Sequence, residues 1–278
     1  MTVFGSLPAL TTFQYNLVDN VFSLTVATMG AAAIFFFAAR SLVAPKFRPA
    51  LMVSGLVVAI ACYHYFMIRL SWQSAFAYSD GSYSPTGKGF NDFYRYADWI
   101  LTVPLLMVEL IAVMGLSKEV ARPLLTKLVI AAALMIGLGY PGEVTQDWTT
   151  LMIWGMLSTV PFLYILYVLW VELSKSLGSQ PESVRSLISL ARYLIVITWM
   201  FYPIAYAIRG DSLPGAIPGL LPEKSGLGVV GTQIGYAIAD IIAKAGFGLL
   251  IFIIARTKTE ALTEEERAEQ FKAAAVMA

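Results

Sequence analysis

Apolar residues run along this chain in long blocks separated by polar breaks, and seven of the blocks are long enough to cross a membrane. They extend from about Tyr15 to Val43, Arg48 to Trp72, Asn91 to Gly115, Ala121 to Tyr140, Trp148 to Leu173, Val184 to Ile208 and Gly228 to Arg256. Each meets the need for about 20 residues, at a rise of about 1.5 Å per residue, to span a hydrocarbon core of about 30 Å. Strict period-2 alternation is absent, which argues against a membrane β-barrel. No internal repeat of the transporter kind is visible. The pattern predicts an all-α membrane protein, a bundle of seven transmembrane helices.

The breaks orient the bundle. With Lys244 set aside, thirteen basic residues fall on one side of alternating spans, among them Arg40, Lys46, Arg122, Arg192 and Lys258, and five fall on the other: Arg69, Lys88, Arg95, Arg209 and Lys224. The positive-inside rule then puts the larger group in the cytoplasm and the N-terminus outside. The link between the second and third spans has Asp80-Gly81 between tyrosine-bearing arms and predicts a short extracellular β-hairpin. The link between the sixth and seventh holds Pro214, Pro218 and Pro222 and reads as a loop. Residues 1–258 form the bundle, and 259–278, with Glu264, Glu265 and Glu266, a solvated cytoplasmic tail. The first residues carry no Lys or Arg, so a cleavable signal peptide is not expected and the mature chain should begin near Met1.

Composition agrees: 58% of the 278 residues are hydrophobic and 13% charged, against about 25% charged in soluble domains. With 19 basic and 18 acidic residues the net charge is near zero, and no basic cluster argues for nucleic acid. Cys62 stands alone, so neither a disulfide framework nor a thiolate metal site is expected, and it reads as a small core hydrophobe.

The chemistry sits inside the spans. In the seventh, GYAIADIIAKAGFGLLIF, Lys244 and Asp240 interrupt an apolar run one turn apart. A mid-membrane lysine costs several kcal/mol, about 2.5 to 3.5 on insertion scales, so it must be paired, deprotonated or covalently modified. A structural ion pair is one reading; a lysine forming a Schiff base with a carbonyl compound, with Asp240 as counter-ion, is the other. In the third span Arg95, Asp98, Thr102 and Glu109 lie three, four and seven residues apart, which sets them in one stripe of a helix. Asp98 and Glu109 are then about 16 Å apart along the axis, with Glu109 toward the cytoplasm. Two carboxylates, a cation and a hydroxyl on one buried face form an ion- or proton-path signature. His64, the single histidine, falls at roughly the depth of Asp98; a satisfied core residue and a partner of that acid are both open readings.

RYADWILTVPLLMVEL, WGMLSTVPFLYILYVLW, WMFYPIAY and YAIADIIAK resemble the third, fifth, sixth and seventh helices of the microbial rhodopsins. With ACYHYF on the second helix and GYPGE after the fourth, the chain is most similar to the xanthorhodopsin-like branch of the proteorhodopsin-type proton pumps, from about Phe13 to Lys258. The resemblance implies a multi-pass plasma-membrane protein and homo-oligomer that is no enzyme but a light-driven outward proton transporter, with all-trans retinal covalently on Lys244. It implies Asp98 as proton acceptor, Asp240 as second counter-ion and Glu109 as internal donor. Asp98, Thr102 and Glu109 match the three-residue pattern of proton pumps rather than the Asn, Asp, Gln of sodium pumps. Arg95 is implied to stabilise the Asp98 anion, and His64 to hydrogen-bond the acceptor.

The same resemblance places Trp99, Trp199, Tyr202, Pro203 and Tyr206 along the polyene and Ser158 and Phe162 near its ring. Leu106 matches the colour-tuning position, where leucine accompanies green absorption. Gly155 stands where bacteriorhodopsin has a tryptophan; a spanning glycine is ordinarily a close-packing device, but in xanthorhodopsin-like pumps it opens a window for a hydroxylated carotenoid. No paired outer glutamates are present at the proton-release positions, and Glu143 is the remaining candidate. A photosensory rhodopsin signalling to a partner protein is the alternative function, and Glu109 separates the two, because a slow receptor needs no fast internal donor.

Overall fold

The computed structural model describes residues 7–91, 93–145, 147–178, 180–207 and 226–276. Seven of its helical stretches are long and apolar enough to cross a membrane. They are α1 (Thr12–Ala39), α2 (Arg48–Ala75), α3 (Tyr94–Met114), α4 (Lys118–Glu143) and α6 (Glu182–Ala207), with α5 and α7 each interrupted by a wide turn. In α5, Trp148–Tyr167 passes through a π-helical turn, Val168–Glu172, into Leu173–Leu177. In α7, Gly226–Asp240 passes through the π-helical turn Ile241–Gly246 into Phe247–Glu260. A further helix, α8, covers Glu264–Val276.

The helix ends follow local chemistry. Thr11 and Gln14 form a reciprocal capping box at the start of α1. Asp147 accepts from the Thr150 N–H at 2.7 Å to begin α5, and hydrogen bonds from the Thr150 side chain and backbone lower its carboxyl below the usual range. Gly115 ends α3 at φ 64°, a left-handed conformation that costs glycine nothing. The tail expected to be solvated is helical, started by a second capping box between Thr263 and Glu266.

Helix ends shift by a few residues from the sequence reading, and two local features change. The fourth span was expected to stop at Tyr140, but α4 continues through Pro141 and Gly142 to Glu143; proline is tolerated inside spanning helices because neighbouring groups satisfy the carbonyl it frees. The hairpin is present as β2 (Phe76–Ser79) and β3 (Ser82–Pro85), turning at Asp80 (φ 51°) and Gly81 (φ 85°) as a type I′ loop requires. It carries an unforeseen third strand, however. Leu10–Thr11, here β1, pairs antiparallel with β3, Leu10 opposite Tyr83. Beneath this sheet Tyr15 stacks on Tyr83 at a centroid distance of 3.7 Å and on Trp72 at 5.8 Å. The proline-bearing link before the seventh span lies outside the described residues, as does the side chain of Tyr206.

The helices are not equally interior. In their most apolar windows 61% of residues are buried in α3 and α7, against 22% in α4 and α5, so the two helices that bring Asp98, Asp240 and Lys244 are the two most shielded from lipid. Close approach to α7 is made at glycines: a Cβ on Gly235 would stand 2.4 Å from the Phe201 ring, and one on Gly248 2.6 Å from Phe36.

Candidate functional site

Lys244 lies on the π-helical turn of α7 and is 2% exposed. A π turn adds a residue to the helix and re-aims its side chains, a distortion often found at functional sites. The ammonium is hydrogen-bonded to Asp240 on its own helix and stands 2.9 Å from Asp98 Oδ2 on α3. Both carboxylates are buried. Such a cluster is tolerated in low dielectric only because opposite charges face one another directly.

Asp240 is held from several elements. Its Oδ1 accepts from Tyr202 at 2.6 Å and from Trp99 Nε1 at 3.3 Å, and its Oδ2 accepts from Tyr65 at 2.6 Å. Asp98 is less bound: besides Lys244, the His64 imidazole approaches it, with Nδ1 3.8 Å from Oδ1. That distance is too long for the hydrogen bond expected between them, and Nδ1 instead donates to the Ile60 carbonyl at 3.0 Å. The histidine is thus oriented by its own helix while its ring stays 3.8 Å from the acid.

The polar stripe of α3 is buried along its whole length: Arg95, Asp98, Thr102 and Glu109 are all interior. Thr102 turns its hydroxyl back onto the Asp98 carbonyl at 2.9 Å. Toward the end that charge assigns outside, Arg95 Nη2 donates to Gln233 Oε1 at 2.6 Å and the guanidinium lies 5.0 Å from the Tyr236 ring centroid. Toward the cytoplasmic end, Glu109 Oε2 accepts from Ser54 of α2, while Oε1 takes no hydrogen bond among the described residues.

A cavity of about 230 Å³ begins at Lys244 and Asp240 and ends against α5. Trp99, Leu106, Gly155, Ser158, Phe162, Trp199, Tyr202 and Pro203 all line it, so every described residue expected along a polyene meets one space. Its distal wall includes Met156, 68% exposed, and the exposed Thr159, so this end of the cavity is also the outer surface of the bundle. Ser158 does not point a free hydroxyl inward; it donates to the Met135 carbonyl at 2.6 Å and ties α5 to α4. Glu143 is buried at the end of α4, with the Tyr96 hydroxyl 3.4 Å from Oε2.

Several groups that shape the site were not singled out from the sequence: Tyr65, Ser54, Gln233 and Tyr236. Spacing carries a weak signal for Ser54 and Tyr65. Both face inward on α2, but a serine or tyrosine in an apolar span has too many bland roles for period alone to select it.

A seven-helix membrane protein with a buried lysine between two carboxylates, opening into an aromatic-walled cavity, is a narrow class. Residues 16–258 match the family model described as bacteriorhodopsin-like protein, and the chain belongs to that family. It is 32% identical over 268 residues to a green-light absorbing proteorhodopsin from Gamma-proteobacterium EBAC31A08, covering 92% of this chain and 96% of that protein. Against bacteriorhodopsin of Halobacterium salinarum the identity is 30% over 232 residues, covering 82% and 80%. Among solved structures it resembles xanthorhodopsin, described as a light-driven ion pump with dual chromophore, at 52% identity and TM-score 0.84 over 91% of this chain and 98% of that one. A thermophilic rhodopsin superposes with TM-score 0.86 at 48% identity, over 92% and 100%.

Proposed function

We propose that this protein is a light-driven outward proton pump carrying all-trans retinal on Lys244 as a protonated Schiff base. The observation that carries the reading is the placement of Lys244 2.9 Å from Asp98 at one end of a cavity walled by Trp99, Trp199 and Tyr202, with Glu109 farther along the same stripe of α3. The cavity suits an apolar aldehyde: it is walled by aromatic rings and reaches the Lys244 amine. Relatives named proteorhodopsin and xanthorhodopsin support the same reading.

When bound, retinal supplies light absorption and a change of shape that alters which neighbour the nitrogen proton faces. Asp98 takes that proton because it is the carboxylate beside Lys244 with few competing donors. Asp240, bound by Lys244, Tyr65, Tyr202 and Trp99, stays in place as a fixed negative charge that keeps the nitrogen cationic. Glu109 returns a proton to the nitrogen from the cytoplasmic side, and Arg95, held by Gln233, carries positive charge on the exit side of Asp98. His64, with Nδ1 3.8 Å from Asp98, tunes the pH at which the acceptor works. Direction follows from placement: acceptor outside the nitrogen, donor inside it.

The carboxyl at Glu109 also favours a pump over a photosensor. At the far wall, Gly155 beside the exposed Met156 supports a further element, a hydroxylated carotenoid lying in lipid against the ring end of the cavity. Illuminating a suspension of expressing cells tests the central reading. The medium should acidify in light independently of sodium and chloride, and a protonophore should abolish the change. Alkalinisation that requires sodium and survives the protonophore would sink the proposal.

A further inference from the structure

Lys258, near the cytoplasmic end of α7, carries a full set of hydrogen bonds outside the site already described. Its Nζ donates to the Met114 carbonyl at 2.7 Å, to the Val113 carbonyl at 3.1 Å and to Gln180 Oε1 at 2.7 Å. An ammonium has three protons, and here all three have acceptors. Two of these acceptors are last-turn carbonyls of α3, which have no partner within their own helix. Gln180 completes the knot by donating from Nε2 to the Met114 carbonyl at 3.2 Å.

The knot joins parts of the chain that are otherwise separate. Lys258 belongs to α7, Met114 to α3, and Gln180 to the connection between α5 and α6. Gln180 is also tied to α6 through its backbone, since its carbonyl accepts from Arg185 Nε at 3.0 Å. Arg185 Nη2 further bonds the Gly178 carbonyl at 3.1 Å. Deeper in, Arg192 of α6 donates to the Leu169 carbonyl at 3.0 Å and to the Ser174 hydroxyl at 2.7 Å, both on α5. Thus α5 and α6 are fastened to each other, and the Gln180 side chain fastens that pair to α3 and α7.

Its position bears on proton traffic. Met114 is five residues beyond Glu109 on α3, about 7.5 Å toward the cytoplasm. Leu51, Leu110, Ile251 and Ile254 are buried in the same apolar core as Met114, and the Phe47 ring lies 5.1 Å from Lys258 Nζ. Among the described residues Glu109 has one hydrogen-bond partner, Ser54, and no polar chain leads outward from it. Lys258 and Gln180 close the seam between α3, α7 and the α5–α6 pair on the cytoplasmic side of Glu109.

We propose that the Gln180–Lys258 contact is a cytoplasmic latch, whose release lets the α5–α6 pair part from α3 and α7 and admits protons to Glu109. The latch rests on the proton-pump reading for its role, though not for its existence. Gln180 is a positioning residue, because it acts on access to Glu109 and touches neither substrate nor Lys244. Losing one hydrogen bond to a charged donor shifts an opening equilibrium by about tenfold.

The test compares wild type, Gln180→Ala, Lys258→Met and the double variant, each first shown to be folded by an unchanged visible absorption maximum. A pH-indicating dye follows proton uptake after a flash, while absorption follows return of the proton to Lys244. Gln180→Ala should speed uptake by about tenfold and leave the internal transfer from Glu109 unchanged. The double variant should be no faster than the faster single, as expected of one contact. Hydrogen–deuterium exchange of the last turn of α3, measured in the dark, should rise in the same variants. Faster exchange in a protein that moves no protons in light would retain the latch and remove the pump reading. Unchanged uptake in a pumping Gln180→Ala protein, or uptake and internal transfer slowed together, would overturn the latch.

Discussion

Asp240 and Glu109 are both buried carboxylates of the same membrane interior, yet they are housed in opposite ways. Asp240 accepts from four side chains, Lys244, Tyr65, Tyr202 and Trp99, drawn from α2, α3, α6 and its own α7. Glu109 accepts from Ser54 and leaves Oε1 without a hydrogen-bonding partner among the described residues. The first is built as a charge that does not move. The second, with an oxygen to spare, has the housing that the proposed proton donor would need. The difference teaches that bulk burial does not define a buried acid's task; the number and type of donors around it do.

The harshest test of this contrast removes the group on which Asp240 is built. Lys244→Ala should give a colourless protein with no light-driven pH change, and a covalently retained visible chromophore would end the assignment. Next in size is the split between acceptor and donor. Asp98→Asn should keep the chromophore and abolish pumping, whereas Glu109→Gln should keep it and slow return of the proton to Lys244 by about a hundredfold. Flash photolysis with a pH dye reads both, and equal effects from the two substitutions would collapse the distinction.

Stability gives a finer comparison. Tyr65→Phe deletes a donor to a charged oxygen and should cost about 2 kcal/mol, while Ser54→Ala should cost about 1 kcal/mol. Thermal bleaching of the two variants measures the order, and a larger loss from Ser54→Ala would mean that Glu109 is the more rigidly held acid. At the far wall of the cavity, Gly155→Trp should abolish energy transfer from an added hydroxylated carotenoid and leave pumping intact. Absence of carotenoid-excited retinal fluorescence in the parent protein would reduce Gly155 to a packing residue. The smallest effect concerns Asp98: in His64→Asn the pH titration of the absorption maximum should move, because Nδ1 is 3.8 Å from that carboxylate. An unchanged curve would return His64 to a core role.

Much of this was legible because membranes simplify the code. A spanning segment must satisfy its backbone internally, so an apolar block of sufficient length is a helix, and polar residues inside it are few enough to be conspicuous. Lys244, Asp240 and the Arg95–Asp98–Thr102–Glu109 stripe were visible for that reason, and the structure gathers the lysine and both aspartates at one point. The type I′ turn at Asp80-Gly81 was visible because few residue pairs adopt it. β1 was not, since two residues pairing with a strand more than 70 positions away leave no periodic trace.

The sequence by itself determined the number of spans, the charge-based orientation and the identity of the ionisable groups, because length, polarity and helical period are local properties. Only the tertiary structure decided that His64 bonds Ile60 rather than Asp98, that Ser54 rather than a charged group serves Glu109, and that Gln180 and Lys258 meet over the end of α3. Those outcomes depend on which faces of separate helices come within about 3 Å of one another. That is fixed by packing across the bundle, at glycines such as Gly235 and Gly248 that let α7 approach its neighbours, and no spacing along one helix encodes it.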